Sequence, residues 1–330
     1  MALGLAAMGS YRVGGRTVTV AGEPVRELAL SSGFATRSDP NGTYVVEAAY
    51  VQYFEPAVRN RLPPVLLVHG GGLTGSSWET TPDGRPGWLN RLLEAGFAVH
   101  VIDNVERGRA GFSALPGLWN EAPVMRSLEE MWSLFRFGPR QRYARRRPFG
   151  GQQFPVEHLD ALAARSVPRW TCNTQAQIAA LTEAVGRFDQ VILVGHSQGG
   201  GQAVHVAAAC RQRVRAVVAI EPHGAPTSFE AGLALPRLLV VEGDFLDANE
   251  PWPALRADWR ATLSAWAAAG GTADLLDLPG AGLPGNSHLP MMDRNGDAVL
   301  AAILRRLAQD EPIRPFFPAA ARPATARRRR

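Results

Sequence analysis

A serine flanked by glycines lies directly after a short apolar run. Residues 191–200 are V-I-L-V-G-H-S-Q-G-G, with Gly195 and Gly199 two places either side of Ser197. A G-x-S-x-G pattern between a strand and a helix is typical of a nucleophile elbow, a strained turn that exposes the serine hydroxyl. Glycine avoids the collisions that a Cβ would make there. Because the alanine-rich residues 201–210 favour a helix, Ser197 is the predicted nucleophile.

A catalytic serine needs a histidine to accept its proton and a carboxylate to orient that histidine. Behind an elbow of this kind the three groups follow in the order serine, acid, histidine. Of the seven histidines, only His223 and His288 follow both Ser197 and a candidate acid. His288 is the predicted base, since it lies in a Gly/Pro-rich loop of the type that carries functional side chains. His223 is predicted to line the substrate pocket or to be solvated.

Two strand ends offer the acid. Residues 215–220 are mostly apolar and are followed by Glu221. The next apolar run is followed by three carboxylates: Glu242, Asp244 and Asp247. Both ends would lie on the carboxyl edge of a parallel sheet, where such folds gather their active sites. Spacing alone leaves these alternatives open.

A glycine run can supply the oxyanion hole. Residues 64–68 form an apolar strand that is followed by His69 and three glycines. Backbone N–H groups in such a loop stabilise the developing negative charge, a contribution worth roughly 10²–10³ in rate per donor. The predicted donors are the N–H groups of Gly71 and Gln198, with Gly72 as a third, and His69 is predicted to be structural. A phosphate loop is disfavoured, because the G-x-x-x-x-G-K-[ST] pattern is missing and the chain contains no lysine.

The loops that carry these residues need a parallel sheet to bring them together. Apolar runs that predict strands alternate with segments that predict helices. Strands are predicted at residues 45–54, 64–68, 97–102, 190–194, 215–220, 237–241 and 274–278. Helices are predicted at residues 87–95, 175–188, 201–210, 254–269 and 297–307. The predicted fold class is therefore α/β, a mostly parallel, doubly wound sheet of about eight strands with helices on both faces and a helical cap.

The alternation breaks over an aromatic-rich segment, residues 112–171. We expect this segment to form a cap or lid that covers the site and shapes an apolar pocket, to which Trp78 would also contribute. The predicted organisation is a short apolar stub at 1–10, the α/β core at 11–111 and 172–310, the cap at 112–171, and a basic, disordered tail at 311–330.

Composition limits the classes of function. The chain has 330 residues, 46% of them hydrophobic, which is enough for one elaborated domain with a large core. Its formal net charge is +5, but five arginines, Arg322 and residues 327–330, lie in the terminal segment. The rest of the chain is near neutral, so no nucleic-acid partner is predicted.

Cysteine content and hydropathy exclude further classes. The two cysteines, Cys172 and Cys210, neither make a disulfide framework nor have metal-ligand spacing. No apolar stretch reaches the roughly 18 residues that a membrane span needs. The sequence as it stands predicts a cytoplasmic protein, whereas a start further upstream that supplied a signal peptide would make it periplasmic or secreted. The sequence is also compatible with a homodimer.

Longer segments extend the pattern beyond the elbow. They are G-S-Y-R-V-G-G-R near the start, L-T-G-S-S-W-E-T-T-P-D-G-R-P-G-W at 73–88, E-R-G-R at 106–109, F-R-F-G-P-R at 135–140, I-E-P, and G-N-S-H followed by M-M-D-R-N. With H-S-Q-G-G, they resemble the bacterial α/β-hydrolase esterases typified by the Alcaligenes esterase with a tandem-cysteine disulfide at its oxyanion hole. The resemblance covers most of the chain, from about residue 9 to about residue 307.

This resemblance implies a catalytic triad. Ser197 would be the nucleophile, His288 the base and Glu221 the acid, which favours Glu221 over the carboxylates of the later strand. The sequence departs from the family at Gly71 and Gly72, which occupy the positions of the adjacent cysteines. The stiffening disulfide cannot form here, so we expect a more mobile loop.

The predicted function is serine-dependent hydrolysis of small to medium carboxylic esters through an acyl-enzyme, without a metal or cofactor. An acyltransferase or a cofactor-free perhydrolase would use the same triad. A catalytically silent ligand-binding module of the same fold is the alternative from a different class. Epoxide hydrolases and haloalkane dehalogenases need a carboxylate at the elbow, so Ser197 argues against them.

Overall fold

The apolar runs of the sequence form the strands, and the segments between them form most of the helices. The computed structural model describes residues 3–307. The strands are β1 (Leu5–Val20), β2 (Arg26–Ser31), β3 (Phe34–Ser38), β4 (Gly42–Pro56), β5 (Val65–Val68), β6 (Val99–Asp103), β7 (Val191–His196), β8 (Val214–Ile220), β9 (Arg237–Glu242) and β10 (Ala273–Asp277). The α-helices are α1 (Trp88–Glu94), α2 (Leu128–Leu134), α3 (Leu159–Ala163), α4 (Thr174–Gly186), α5 (Gln198–Ala209), α6 (Trp252–Ala268) and α7 (Gly296–Leu307).

Eight of the strands form one sheet in the order β1-β4-β6-β5-β7-β8-β9-β10. β1 pairs with β4 and β4 with β6 in the antiparallel sense, and every later pairing is parallel. β2 and β3 form a separate antiparallel pair. The predicted fold class, a mostly parallel, doubly wound sheet, is confirmed.

The central strands are buried on both faces, because helices cover both sides of the sheet. Every residue of β5, β6 and β7 is buried, as expected for parallel strands with continuous apolar sequence. One hydrophobic cluster packs α1, α7 and aromatic residues of the 112–171 segment against one face. A second cluster packs α4, α5 and α6 against the other. The sheet is thus a rigid platform whose carboxyl edge presents the loops that carry the candidate site.

The amino-terminal part differs most from the sequence-based expectation. Residues 5–10, which the sequence set apart as an apolar stub, form the first part of β1. β1 pairs with β4 along its length, from Leu5 opposite Pro56 to Val20 opposite Gly42. This strand owes its stability to a partner more than 20 residues away in the chain, so its own composition does not reveal it. Residues 1 and 2 lie outside the described part of the chain.

The aromatic segment 112–171 contains α2, α3 and two 3₁₀ helices, Arg140–Arg145 and Val156–His158. Its aromatic side chains Trp132, Phe137 and Phe154 are fully buried in the cluster that α1 and α7 also join. The segment is therefore anchored in the main core. The predicted basic tail at 311–330 lies outside the described residues.

Candidate functional site

Ser197 occupies the sharp turn between β7 and α5. Its backbone has φ 53° and ψ −120°, a conformation that non-glycine residues rarely adopt. Hydrogen bonds hold it there: Ser197 N–H donates to the Ile220 carbonyl at 2.8 Å, and the Ser197 carbonyl accepts from Gly201 and His223 N–H groups at 3.1 and 3.0 Å. Neighbouring backbone therefore stabilises the strained elbow.

The glycines on either side of the elbow allow α5 to pack closely against the sheet. A Cβ on Gly195 would lie 2.8 Å from the Gly200 Cα atom, and a Cβ on Gly199 would lie 2.8 Å from the Val68 carbonyl oxygen. Real Cβ atoms do not approach backbone so closely, so larger residues would push the helix away from β5 and β7.

His288 and Glu221 meet at the carboxyl edge of the sheet. Glu221 follows β8, His288 lies in the loop between β10 and α7, and the His288 Nδ1 atom is hydrogen-bonded to Glu221 Oε2. Both side chains are buried. The backbone N–H of His288 donates to the Phe135 carbonyl at 3.0 Å. The imidazole stacks on the Phe135 ring, with 5.8 Å between the ring centroids. The ring is therefore oriented from two sides.

His196, the residue before the nucleophile candidate, connects the elbow to the His288 loop. Its Nε2–H donates to the His288 carbonyl at 2.7 Å, and the two imidazoles lie 4.6 Å apart between centroids. The elbow and the loop that carries the candidate base are thus adjacent in space.

The other candidate acids are engaged elsewhere. Glu242 accepts hydrogen bonds from α6, among them Trp259 Nε1–H at 2.9 Å. Asp244 accepts from two backbone amides at 2.7 and 3.0 Å. Asp247 is exposed and forms a surface ion pair. Of the four carboxylates that the sequence offered, Glu221 is the one in contact with His288.

The glycine loop after β5 approaches the start of α5. A Cβ on Gly71 would lie 2.9 Å from Gln198 Oε1, and a Cβ on Gly70 would lie 3.3 Å from Ser197 Cβ. Within residues 3–307 the Gly71 N–H has no hydrogen-bond acceptor, and the Gln198 N–H opens α5, where amides have no partner inside the helix. Gly72 has φ 72°, which favours glycine. The loop thus places free donors next to the elbow.

Comparisons with known proteins agree with this geometry. A family profile described as alpha/beta hydrolase fold matches residues 63–291. The chain belongs to the alpha/beta hydrolase fold family. The atomic-resolution structure of a novel bacterial esterase superposes with a TM-score of 0.79 and 33% sequence identity, covering 94% of this chain and 98% of that one. The resemblance to bacterial esterases predicted from the sequence is confirmed.

A curated relative, described as a probable secreted lipase, phiG, of Fungal sp. (strain ATCC 74256), is 28% identical over 199 residues. That match covers 56% of this chain and 52% of the relative, so the chain spans about half the length of that protein.

An arginine that the sequence analysis did not single out completes the charge network of this alpha/beta hydrolase. Arg136 is fully buried, and its guanidinium contacts both carboxylate oxygens of Glu221, with Nη1 at 2.8 Å from Oε2. It also donates to the Asp244 carbonyl at 2.7 Å and lies 4.2 Å above the Trp252 ring. The sequence signal was an arginine between two phenylalanines, since a cation in an apolar run needs a buried partner.

These contacts set the protonation states of the pair. Burial alone would raise the pKa of Glu221, but the charges of Arg136 and His288 outweigh it and hold that pKa at about 2. Burial lowers the pKa of His288, and Arg136 lowers it further, while Glu221 opposes both. The net pKa of His288 lies below its usual value, so the imidazole is neutral and able to accept a proton at neutral pH.

The remaining histidine and tryptophan candidates occupy different environments. His69 is buried, donates from Nδ1 to the Gly70 carbonyl at 2.9 Å and accepts from Asn104 N–H at 3.1 Å. Burial lowers its pKa to about 4, which fits the predicted structural role. Trp78 is fully buried and packs against Trp88 in the core cluster.

Two cavities meet at Arg169, a second arginine that sequence reasoning missed. A cavity of about 170 Å³ is lined by Arg169, Gln198, Gln202 and His223 among others. A narrower one is lined by Gly71, Gly72, Arg126, Met131, Phe135 and Arg169. His223 thus lies at a cavity wall, beside the first residue of α5.

The described residues offer few features of other kinds of site. Between residues 3 and 307, no cluster of three or more His, Cys, Asp or Glu side chains is placed to hold a metal ion. Both cysteines are free thiols. No helix in this range is long and apolar enough to cross a bilayer.

Proposed function

We propose that this alpha/beta hydrolase is a serine-dependent carboxylic ester hydrolase that acts through an acyl-enzyme. The observation that carries the proposal is the buried His288–Glu221 contact beside the strained Ser197 elbow. A neutral imidazole oriented by a carboxylate is the base that a serine nucleophile requires. The relatives that carry the words esterase and lipase in their descriptions support an ester substrate.

The proposed reaction begins with proton transfer. Glu221 occupies Nδ1 of His288, so Nε2 accepts the proton of the Ser197 hydroxyl as the serine oxygen attacks the ester carbonyl. Negative charge develops on the carbonyl oxygen. The N–H groups of Gly71 and Gln198 would bind it, with Gly72 as a third donor.

Collapse of the tetrahedral intermediate breaks the ester C–O bond. His288 returns its proton to the leaving alcohol, and Ser197 keeps the acyl group. Water then attacks the acyl-enzyme while His288 accepts one of its protons, and the second collapse releases the carboxylic acid and restores the serine hydroxyl. Throughout, Glu221 stabilises the imidazolium without accepting its proton, because the pKa of Glu221 is held at about 2.

The direct test is active-site titration with p-nitrophenyl acetate. We expect a burst of p-nitrophenol, stoichiometric with enzyme, followed by slower turnover. Ser197→Ala is expected to remove the burst and to lower kcat by about 10⁴–10⁶. The matched control is Ser31→Ala on the exposed strand β2, which is expected to behave as wild type. A burst of full amplitude in Ser197→Ala would overturn the proposal.

A further inference from the structure

The Arg169 guanidinium lies against the loop and helix start that form the candidate oxyanion hole. Its Nη1 donates to Gln198 Oε1 at 3.3 Å. A Cβ on Gly71 would collide with Nη1 and lie 3.2 Å from Cζ, so the guanidinium occupies the space that a side chain at position 71 would need. A cation is thus fixed within a few ångströms of the place where the ester carbonyl would bind.

This cation is incompletely paired. Arg169 Nε is buried and has no hydrogen-bond partner among the described residues. The neighbouring Arg107 is 1% exposed, and its Nε and Nη2 also lack partners in that part of the chain. Its Nη1 reaches only the main-chain carbonyls of Glu106 and Pro168, at 3.2 and 3.5 Å. Buried cations with unfilled donors are costly to a fold, so such atoms commonly mark a place for an anion.

Charged groups of both signs surround Arg169. Arg107 lies close to Arg169, since its Nη1 donates to the Pro168 carbonyl at 3.5 Å. Burial and the charge of Arg169 lower the pKa of Arg107 to about 10, and Glu106 opposes them. Burial and the charge of Arg126 lower the pKa of Arg169 in turn. Glu121, a partly buried carboxylate that acts on Arg169, accepts hydrogen bonds from Thr171 Oγ1 at 2.6 and 2.8 Å. Arg126 pairs with Glu130, whereas Arg169 forms no ion pair with a carboxylate among residues 3–307.

Six of the residues that line the cavity beside Arg169 have polar side chains, and some of their donors are engaged within the protein. Its wall includes the side chains of Arg169, Thr171, Thr174, Gln198, Gln202 and His223. Its volume, about 170 Å³, accommodates a carboxylate with a short carbon chain. An ionised carboxylate accepts hydrogen bonds only, and guanidinium groups bind it in the two-pronged geometry that gives strong, specific pairs.

We propose that this polar cavity binds a carboxylate carried by the ester substrate, with Arg169 as its main ligand. The inference rests on the proposed esterase function and narrows its substrate class to anionic esters, such as half-esters of short dicarboxylic acids. Gln198 links the two sites, because its backbone N–H belongs to the candidate oxyanion hole and its side chain contacts Arg169. A substrate would therefore bridge Ser197 and Arg169.

The experiment compares two esters of similar size by pH-stat: monoethyl glutarate, which carries a carboxylate, and neutral ethyl pentanoate. Wild type is expected to prefer the anionic ester. Arg169→Gln is expected to lower kcat/KM for monoethyl glutarate by about 10- to 100-fold and for ethyl pentanoate by less than about threefold, since a hydrogen bond to a charged group is lost only with the first. The matched control, Arg145→Gln in the exposed 3₁₀ helix Arg140–Arg145, is expected to change neither.

Two further measurements keep the test decisive. Free glutarate is expected to inhibit p-nitrophenyl acetate hydrolysis by wild type and to inhibit Arg169→Gln at least about tenfold more weakly. If Arg169→Gln does not fold, Arg126→Gln in the adjoining narrower cavity, where Arg126 pairs with Glu130, is expected to show the same selectivity with a smaller loss.

Each outcome has one meaning. Equal losses on both esters, or no preference in wild type, would overturn the anion site while leaving the esterase proposal intact. Absence of turnover of any ester by wild type would instead refute the proposed function.

Discussion

Two arginines near the candidate site, the fully buried Arg136 and the partly buried Arg169, differ in how they are paired. Each guanidinium nitrogen of Arg136 has a hydrogen-bond partner, either an oxygen of Glu221 or a main-chain carbonyl, and the group also contacts the face of Trp252. Arg169 contacts the neutral Gln198 and keeps a buried nitrogen without a partner in the described residues. On our proposal, the protein itself supplies the carboxylate that pairs with Arg136 and orients the base, whereas the substrate supplies the carboxylate that pairs with Arg169.

The largest predicted effect concerns Glu221, the carboxylate partner of Arg136. Glu221→Gln preserves shape but removes the charge that orients and stabilises the His288 imidazolium, so kcat is expected to fall by about 10³–10⁴. Steady-state kinetics with p-nitrophenyl acetate would measure it.

Asp244→Asn is the matched control for that variant, since Asp244 follows the neighbouring strand and does not contact the base. We expect it to retain kcat within about tenfold. A large loss in Asp244→Asn together with a small one in Glu221→Gln would reassign the acid.

The next effect is on stability. Arg136→Met leaves the buried Glu221 carboxylate without its cation, and breaking a buried ion pair in this way costs about 3–5 kcal/mol in the free energy of unfolding. Urea unfolding followed by circular dichroism would measure the loss. Arg294→Met, which breaks the exposed pair with Glu157, is expected to cost less than about 1 kcal/mol. Equal costs would show that Arg136 is not specially coupled to the core.

The smallest predicted effect is a displacement of the pH profile. On the proposed mechanism, activity requires neutral His288, so kcat/KM rises as pH increases through the pKa of that imidazole. Burial and Arg136 hold the pKa of His288 below its usual value, and the acid limb should therefore lie below pH 6.5 in wild type. Arg136→Gln removes one of these lowering charges and leaves Glu221, which raises the pKa, so the limb is expected to move to higher pH. A limb that stays in place or moves to lower pH would contradict this account.

Local patterns of the sequence predicted the sheet and the elbow because both depend on neighbouring residues. Apolar runs such as β5 and β7 are buried on both faces, and their composition alone indicates it. Candidate histidines and acids could be ordered along the chain, although spacing did not choose between the two strand ends. Glu221 was favoured only through the family resemblance.

Features that depend on long-range contacts were not predictable in the same way. Arg136 lies 85 positions from Glu221 in the chain, and nothing in its neighbourhood names its partner. Arg169 likewise reaches Gln198 across 29 residues. The strand β1 is stabilised by its pairing with β4, which lies far away in the sequence. The hairpin of β2 and β3 is short and largely exposed, so its strands lack the buried apolar runs that predict strands elsewhere.

The absence of a side chain at Gly71 leaves room for the Arg169 guanidinium. The volume that a cysteine side chain would fill at that position is taken by Arg169. A side chain at position 71 would therefore displace the Arg169 guanidinium from its place beside Gln198. A variant with cysteines at positions 71 and 72 is therefore expected to show a weaker form of the preference for charged esters that we ascribe to Arg169.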